Sequence, residues 1–135
     1  MHEDRTFVYV EDEPMSRTVM EMLMVRGLGY KNLHIFEDST DFIARMEALP
    51  AVPDLIFLDI HMRPHDGFEM LQMLRGHETF ANVPVVALTA SVMNEEVDML
   101  KGAGFDSGIA KPIDQTTFSQ TLDLILGGEE VWKIF

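Results

Sequence analysis

The sequence has no cysteine and no long apolar run. Without cysteine no disulfide can form, which fits a reducing compartment. Apolar runs stop after four or five residues, and residues 1–5 lack the basic and apolar pattern of a signal peptide. We therefore expect no segment that spans or enters a membrane, and a cytoplasmic location.

Positive charge is also scarce. Lys and Arg number 10 against 23 Asp and Glu, which gives the 135-residue chain a formal net charge of −13. Nucleic-acid affinity comes from Lys and Arg that displace counterions from phosphates, so this balance argues against a nucleic-acid partner and against acidic membrane surfaces. With 47% hydrophobic residues, the composition predicts one compact acidic domain.

Short apolar segments alternate with longer segments whose apolar residues recur every three to four positions, a βαβ rhythm. The predicted strands are Phe7–Val10, Leu33–Phe36, Leu55–Leu58, Val85–Leu88 and Gly108–Ala110. The predicted helices are Met15–Arg26, Ser39–Leu49, Phe68–Arg75, Asn94–Ala103 and Asp114–Leu126, with Asp114 as the N-cap of the last. This alternation predicts an α/β fold with an open, doubly wound parallel sheet, whose functional residues follow the carboxyl ends of the strands.

Acidic residues stand at two of these strand ends. Glu11 and Asp12 follow the first strand, and Asp59 follows the third. Because the ends of parallel strands share one edge of the sheet, we expect the three carboxylates to converge and to repel one another unless a cation is present. Mg²⁺ prefers oxygen ligands of this kind, so the sequence predicts a magnesium site.

The remaining strand ends supply the partners of a phosphoryl group. Thr89 follows the fourth strand and offers a hydroxyl, and Lys111 follows the fifth and offers a positive charge. A carboxylate can itself accept a phosphoryl group and form an aspartyl-phosphate. Asp59, at the end of the most apolar strand, is the candidate nucleophile.

Together these motifs resemble the receiver domain of two-component response regulators, in the single-domain, chemotaxis-regulator-like form. The resemblance covers about Thr6 to Leu126. The residues that carry it are Val10–Pro14, Phe57–Gly67, Leu88–Ala90 and Ala110–Pro112. It implies a flavodoxin-like, five-stranded parallel sheet with strand order 2-1-3-4-5. The domain would occupy residues 1–126, and residues 127–135 would be a C-terminal extension with no effector domain.

The resemblance also implies a reaction and its partners. Asp59 would accept the phosphoryl group from a phosphohistidine of a sensor histidine kinase or of a histidine phosphotransfer protein. The protein would then signal through protein contacts. Mg²⁺ would be held by Asp12, Asp59 and the backbone carbonyl of His61, with Glu11 reaching it through water.

Other roles follow from the same resemblance. Lys111 would pair with the acceptor carboxylate at rest and with the phosphoryl group afterwards. Thr89 would move toward the phosphoryl group, and the small Ala90 would leave the path open. The kinase or phosphotransfer helix would dock near the first helix and the loop after the fifth strand. The docking candidates are Met15, Pro112 and Ile113.

The chain departs from the family pattern at several positions. Glu11 stands where the family often has Asp, and Arg63 stands where it commonly has Pro, with Pro64 one residue later. Gly108 takes the place of a frequent Tyr or Phe, so a change on phosphorylation would run through residues 89–93 and the fourth helix. The pair His61 and His65 is expected to be an exposed loop feature rather than a transition-metal site, because Pro64 prevents a helix there.

The segment after Leu126 contains the single tryptophan, and in its last five positions Val131, Lys133 and Phe135 alternate with Trp132 and Ile134. This pattern predicts an extended arm. The arm either packs back on its own domain or pairs with a second subunit, as in a homodimer.

Two other function classes compete with the receiver. An aspartyl-phosphate-forming phosphatase or phosphotransferase would act on a small substrate, but haloacid-dehalogenase-like enzymes place a second Asp two residues after the nucleophile, where this chain has His61. A receiver-shaped module that no longer takes phosphate is the third class. The presence of Asp12, Asp59, Thr89 and Lys111 argues against it.

Overall fold

The protein is described here from a computed structural model, which covers residues 4–90 and 93–133. Strands and helices alternate along the chain. The strands are β1 (Thr6–Val10), β2 (Asn32–Phe36), β3 (Leu55–Asp59), β4 (Val85–Thr89), β5 (Ser107–Ala110) and β6 (Trp132–Lys133). The helices are α1 (Pro14–Glu21), α2 (Phe42–Glu47), α3 (Gly67–Arg75), α4 (Asn94–Ala103) and α5 (Phe118–Leu126).

The strands form one parallel sheet in the order β2-β1-β3-β4-β5-β6. The predicted doubly wound α/β fold with the order 2-1-3-4-5 is confirmed. The two-residue β6 is added at the β5 edge. In β1, β3 and β4 every residue is buried, as expected for parallel strands with helices on both faces.

Each face of the sheet has its own hydrophobic core. On one face α1, the π-helical turn that follows it (Met22–Gly27) and α5 pack through Met20, Met24, Phe118, Leu122 and Ile125. On the other face α2, α3 and α4 pack through residues such as Phe42, Met70, Leu74, Val97 and Leu100. The two layers hold the carboxyl ends of β1, β3, β4 and β5 at one edge of the sheet.

Two predicted helix starts were wrong, and the predicted first helix, Met15–Arg26, is not α-helical throughout. The first helix continues past Glu21 as a π-helical turn over Met22–Gly27. The second helix begins at Phe42 rather than Ser39, because its N-cap, Asp41, lies in the left-handed region (φ 51°).

The fifth helix begins at Phe118 after Thr117, so Asp114 is not its N-cap. The Asp114 carboxylate instead accepts from the backbone amide and the hydroxyl of Thr116, at 3.0 and 2.6 Å. A local side-chain turn of this kind competes with helix initiation.

The described part of the C-terminal arm packs back on its own domain. Gly108 N–H donates to the Val131 carbonyl (2.9 Å), and Val131 N–H donates to Ser107 Oγ (2.9 Å). Val131 is buried against the α5 face, while the Trp132 ring lies 5.3 Å from Lys101 Nζ of α4. Ile134 and Phe135, the end of the predicted arm, lie outside the described residues, as do Met1–Glu3 of the predicted N-terminal segment.

Among the residues described, no helix is both long enough and apolar enough to cross a lipid bilayer.

Candidate functional site

Glu11 is fixed at the end of β1 by a set of contacts around its carboxylate. The side chain is fully buried, and Tyr9 Oη donates to its Oε1 at 2.7 Å. Its Oε2 accepts from the Glu13 N–H at 3.3 Å. Tyr9 and Glu11 are two residues apart in extended chain, so their side chains lie on the same face of the sheet. Glu11 is therefore held in one place.

The predicted carboxylates converge. One oxygen from each of Glu11, Asp12 and Asp59 lies within 4.8 Å of the other two, with Asp12 exposed and Asp59 buried. Glu13, the next acid in the chain, is not part of this cluster. Its carboxylate caps α1 by accepting from the backbone N–H of Met15 (3.1 Å) and of Ser16 (2.6 Å).

Lys111 lies between two of the carboxylates. Its Nζ is 2.8 Å from Glu11 Oε1 and 3.2 Å from Asp59 Oδ2. Its backbone N–H donates to the Thr89 carbonyl at 2.9 Å, which joins the ends of β4 and β5. The sequence predicted the Asp59 contact but missed the shorter one to Glu11.

Asp59 holds its proton more tightly than an ordinary aspartate. Burial, together with the hydrogen bond and the negative charge of Glu11, raises the pKa of Asp59 from 3.8 to about 6, although Lys111 and the His61 N–H oppose this. For Glu11, burial raises the pKa, but hydrogen bonds with Asp59, Lys111 and Tyr9 outweigh it and lower the pKa overall. When the pair takes up one proton, Asp59 is therefore the carboxyl that carries it.

The pKa values of the two neighbours of this pair, Lys111 and Tyr9, are both raised. Burial lowers the pKa of Lys111, but the two carboxylates outweigh it and raise that pKa, so the amine stays charged. Burial and the adjacent Glu11 raise the pKa of the Tyr9 phenol, which therefore stays a neutral donor. The site thus holds three acids against the one positive charge of Lys111.

The segment after Asp59 turns sharply back over the strand end. His61 N–H donates to Asp59 Oδ1 (3.2 Å), and Gly67 N–H donates to the Ile60 carbonyl (2.9 Å). A Cβ on Gly67 would lie 2.7 Å from Ile60 Cδ1 and 2.9 Å from Ile60 Cα, so the turn needs glycine. Asp66 and Glu69 then form a reciprocal capping box at the start of α3.

The two histidines of this segment stand apart from the carboxylates. His61 is exposed, and His65 Nδ1 lies 3.8 Å from Glu69 Oε2. Across residues 4–90 and 93–133, Glu11, Asp12 and Asp59 are the only group of His, Cys, Asp or Glu side chains placed to hold a metal ion. A transition-metal site at the histidines therefore gains no support.

The end of β4 supplies the other predicted residues. Thr89 is fully buried and Ala90 is exposed. Ser91 and Val92 lie outside the described residues, so the role expected of the 89–93 loop stays a prediction.

The predicted docking residues line a groove beside Lys111. Its lining includes Met15, which is 68% exposed, and Val19 of α1, together with Ala90, Pro112 and Ile113. The groove therefore joins the exposed methionine to the candidate nucleophile's surroundings.

The residues present suit a hard divalent cation. All three converging side chains offer carboxylate oxygens, and burial followed by the hydrogen bond and charge of Glu11 raises the pKa of Asp59 despite Lys111. Mg²⁺ is usually held by one or two carboxylates, with water and phosphate oxygens completing its coordination. An exposed Asp12 beside two buried acids leaves room for those ligands.

Comparison with known proteins agrees with this geometry. The family model described as "Response regulator receiver domain" matches residues 7–123. The polar-differentiation response regulator DivK of Brucella ovis is 33% identical over 127 residues, which cover 91% of this chain and 97% of the relative.

Solved structures show the same fold. One such structure is the receiver domain of the sensor histidine kinase PA1611 from Pseudomonas aeruginosa, which has a magnesium ion coordinated in its active-site cleft. It is 27% identical to this chain, has a TM-score of 0.77, and the match covers 92% of this chain and 98% of that one. The chemotaxis response regulator CheY4 of Vibrio cholerae, at 23% identity, matches in fold with a TM-score of 0.77, covering 90% of this chain and 98% of that one.

Proposed function

Since the chain belongs to the response regulator receiver domain family, we propose that Asp59 accepts a phosphoryl group from a phosphohistidine. Membership of this family makes the protein a receiver of phosphorelay signalling and not a metabolic enzyme. The observation that supports Asp59 as the acceptor is its place in the cluster. Asp59 is buried, it contacts Lys111 at 3.2 Å, and one of its oxygens lies within 4.8 Å of the carboxylates of Glu11 and Asp12.

In the proposed reaction a carboxylate oxygen of Asp59 forms a bond to phosphorus while the bond from phosphorus to the imidazole nitrogen breaks. The electron pair of the broken bond goes to the imidazole. Asp59 must be deprotonated to attack, and its pKa of about 6 leaves it mostly ionised at neutral pH even with no metal bound. Lys111 would shift from its pair with Asp59 to a phosphoryl oxygen.

Glu11, Asp12, Asp59 and the His61 carbonyl are the proposed residues that hold Mg²⁺. When bound, the ion would offset charge that develops on the phosphoryl oxygens. The donor set of the described carboxylates supports this assignment.

Thr89 and Ala90 are proposed to respond to the phosphoryl group. Thr89 is the last residue of β4. It pairs in register with Ala110, the residue before Lys111. A hydroxyl there can donate to a phosphoryl oxygen, and the small Ala90 leaves the approach to Asp59 open.

The proposed partner is a histidine kinase or a phosphotransfer protein that presents its histidine on a helix. The groove lined by Met15, Val19, Pro112 and Ile113 would receive an apolar helix face, because methionine side chains adapt to irregular surfaces. Its position beside Ala90 and Lys111 would bring the phosphohistidine to Asp59. A second subunit as partner, and a cytoplasmic location, remain expectations from the sequence.

Intact mass spectrometry after incubation with Mg²⁺ and acetyl phosphate tests the proposal. We expect one phosphoryl adduct on the wild type, none with EDTA and none on Asp59→Asn. Asp98→Asn is the matched control, because Asp98 is an exposed acid of α4, and it should form the adduct normally. An adduct of equal yield on Asp59→Asn, or steady turnover of acetyl phosphate by that variant, would overturn the proposal.

A further inference from the structure

The loop between Asp59 and α3, residues 60–66, carries the carbonyl of His61 that is proposed to hold Mg²⁺. Both ends of this loop are tied, at Ile60 by the Gly67 N–H and at Asp66 by the capping box. The middle, from Met62 to His65, has no regular secondary structure. What holds the middle in place therefore decides how well the loop presents its carbonyl.

A buried serine from another part of the chain holds it. Ser39, in the β2–α2 loop, is fully buried, and its Oγ both donates to the His65 carbonyl and accepts from the His65 N–H, each at 2.7 Å. The Ser39 backbone N–H also donates to the Arg63 carbonyl at 3.4 Å. Ser39 thus contacts the loop at both Arg63 and His65, although His65 lies 26 positions away in sequence.

The chemistry of serine suits this contact. A hydroxyl donates one hydrogen bond and accepts others, so it can satisfy an N–H and a C=O of one residue together. Alanine at this position would leave both groups of His65 without their partner in a partly buried place, where unpaired backbone groups are costly. The loop would then relax toward conformations that satisfy those groups with water.

We propose that Ser39 is a positioning residue for the metal site: by fastening the middle of the 60–66 loop, it fixes the backbone that presents the His61 carbonyl. The inference rests on the proposed function, because it takes the bound ion to be Mg²⁺ at that site. Residues that orient metal ligands from behind change metal affinity even though they never touch the metal.

Isothermal titration of the full chain with MgCl₂, without a phosphodonor, tests the inference directly. We expect Ser39→Ala to bind Mg²⁺ about tenfold more weakly than the wild type. Ser39→Cys keeps the size of the side chain with a weaker donor and should fall between them. At saturating Mg²⁺ the phosphorylation rate with acetyl phosphate should return to within about twofold of the wild type, since Ser39 does not touch the reacting atoms.

Two control variants distinguish a loss of loop positioning from a general loss of protein stability. Ser119→Ala makes the same chemical change at an exposed site on α5 and should bind Mg²⁺ normally. Ile125→Val trims the core behind α5, so it lowers the melting temperature without approaching the loop. If Ile125→Val weakens Mg²⁺ binding as much as Ser39→Ala does, or if Ser39→Ala binds like the wild type, the inference is wrong.

Hydrogen exchange of the wild type keeps the inference testable if Ser39→Ala does not fold. The His65 amide should exchange slowly, as slowly as the capped Glu69 amide, because Ser39 Oγ accepts its hydrogen. Exchange at the rate of an open loop would overturn the inference. If the wild type itself binds no Mg²⁺, the proposed function fails first, and the two failures are distinguishable.

Discussion

Asp59 makes the free energy of unfolding depend on pH in an unusual direction. Its pKa is raised from 3.8 to about 6 in the folded protein, so the folded state binds a proton more tightly than the unfolded chain does. The resulting stabilisation is complete below about pH 4 and is lost as the pH rises through 6. At neutral pH, with no metal, the ionised Asp59 is therefore a source of instability.

Asp59→Asn should therefore stabilise the metal-free protein more at pH 7.5 than at pH 4.5. A shift of about two pKa units corresponds to at most about 3 kcal/mol, and the opposite shift of Glu11 reduces this, so we expect a gain of about 1–2 kcal/mol. Thermal denaturation in EDTA at the two pH values measures it. Asp98→Asn should show no such difference, and an equal gain at both pH values would contradict the mechanism.

Lys111 is the residue whose loss should affect both folding and chemistry. Lys111→Met leaves the buried Glu11 carboxylate and Asp59 without their cation, and we expect a loss of about 1–3 kcal/mol. The phosphorylation rate with acetyl phosphate should fall about a hundredfold, as when one donor to a developing charge is removed.

Stopped reactions analysed by mass, together with urea denaturation, check both effects of Lys111→Met. Lys31→Met is the control, because Lys31 is exposed just before β2 and its variant should keep both properties. A Lys111→Met protein that phosphorylates at the wild-type rate would show that the amine does not assist the transfer.

At the scale of elements, the tight junction between β3 and α3 depends on Gly67. An alanine Cβ there would meet both the side chain and the Cα of Ile60, and the backbone atom cannot move out of the way cheaply. We expect Gly67→Ala to lower the free energy of unfolding by about 1–3 kcal/mol, a typical cost of overpacking. Urea denaturation measures the change.

Gly102→Ala is the matched control for that prediction. Gly102 lies inside α4 with no atom within 4 Å of an added Cβ, so alanine should stabilise the helix by up to about 1 kcal/mol. If the two alanine variants changed stability in the same direction, the close approach to Ile60 would not be the cause.

The elements differ in how far the sequence could predict them. Strands β3 and β4 are continuous apolar runs, and α4 was predicted from Asn94 to Ala103, the bounds that it has. The sequence placed Ser39 at the start of the second helix and Asp114 at the N-cap of the fifth. Each instead makes a polar contact outside a helix. Pattern alone cannot separate the two uses, because the choice depends on which backbone groups lie nearby in the folded chain.

The residues of the candidate site also differ in how far the sequence could predict them. The positions of the strand ends in the sequence predicted which residues converge, because parallel strands bring their carboxyl ends to one edge of the sheet. The Tyr9 hydroxyl on Glu11 was missed, although the alternation of side chains along β1 puts the two on one face and could have shown it. The contact from Ser39 to His65 joins two loops and left no periodic signal in the sequence.

For the whole molecule, the net charge of −13 has one local use. Glu11, Asp12 and Asp59 concentrate three acidic side chains at one place, which favours a cation. Burial and the neighbouring Glu11 raise the pKa of Asp59 there. Phosphorylation would add about −1.5 to −2 at the same place. Most other acids are on the surface, where they disfavour polyanionic partners.

The C-terminal arm completes the sheet, and its removal is the prediction that concerns the molecule as a whole. Deleting residues 129–135 would expose the edge of β5 and uncover the surface under Val131 and Trp132. The Gly108 N–H and the Ser107 Oγ would also lose the contacts that they make to Val131. From the apolar area involved, we expect a loss of about 2–3 kcal/mol in the free energy of unfolding.

An uncovered β5 edge should also promote contacts between molecules, because unpaired backbone groups on an edge strand can pair with another chain. Light scattering after gel filtration should show the truncated protein associating as its concentration rises, whereas Glu129→Gln, an exposed change in the same segment, should behave like the full chain. In the sheet β6 lies two strands away from β4 and three away from β3. The truncated protein should therefore still form the Asp59 adduct, and that adduct would show that the protein has folded. A truncated protein that forms the adduct and equals the full chain in stability and association would mean that the arm contributes nothing to the sheet.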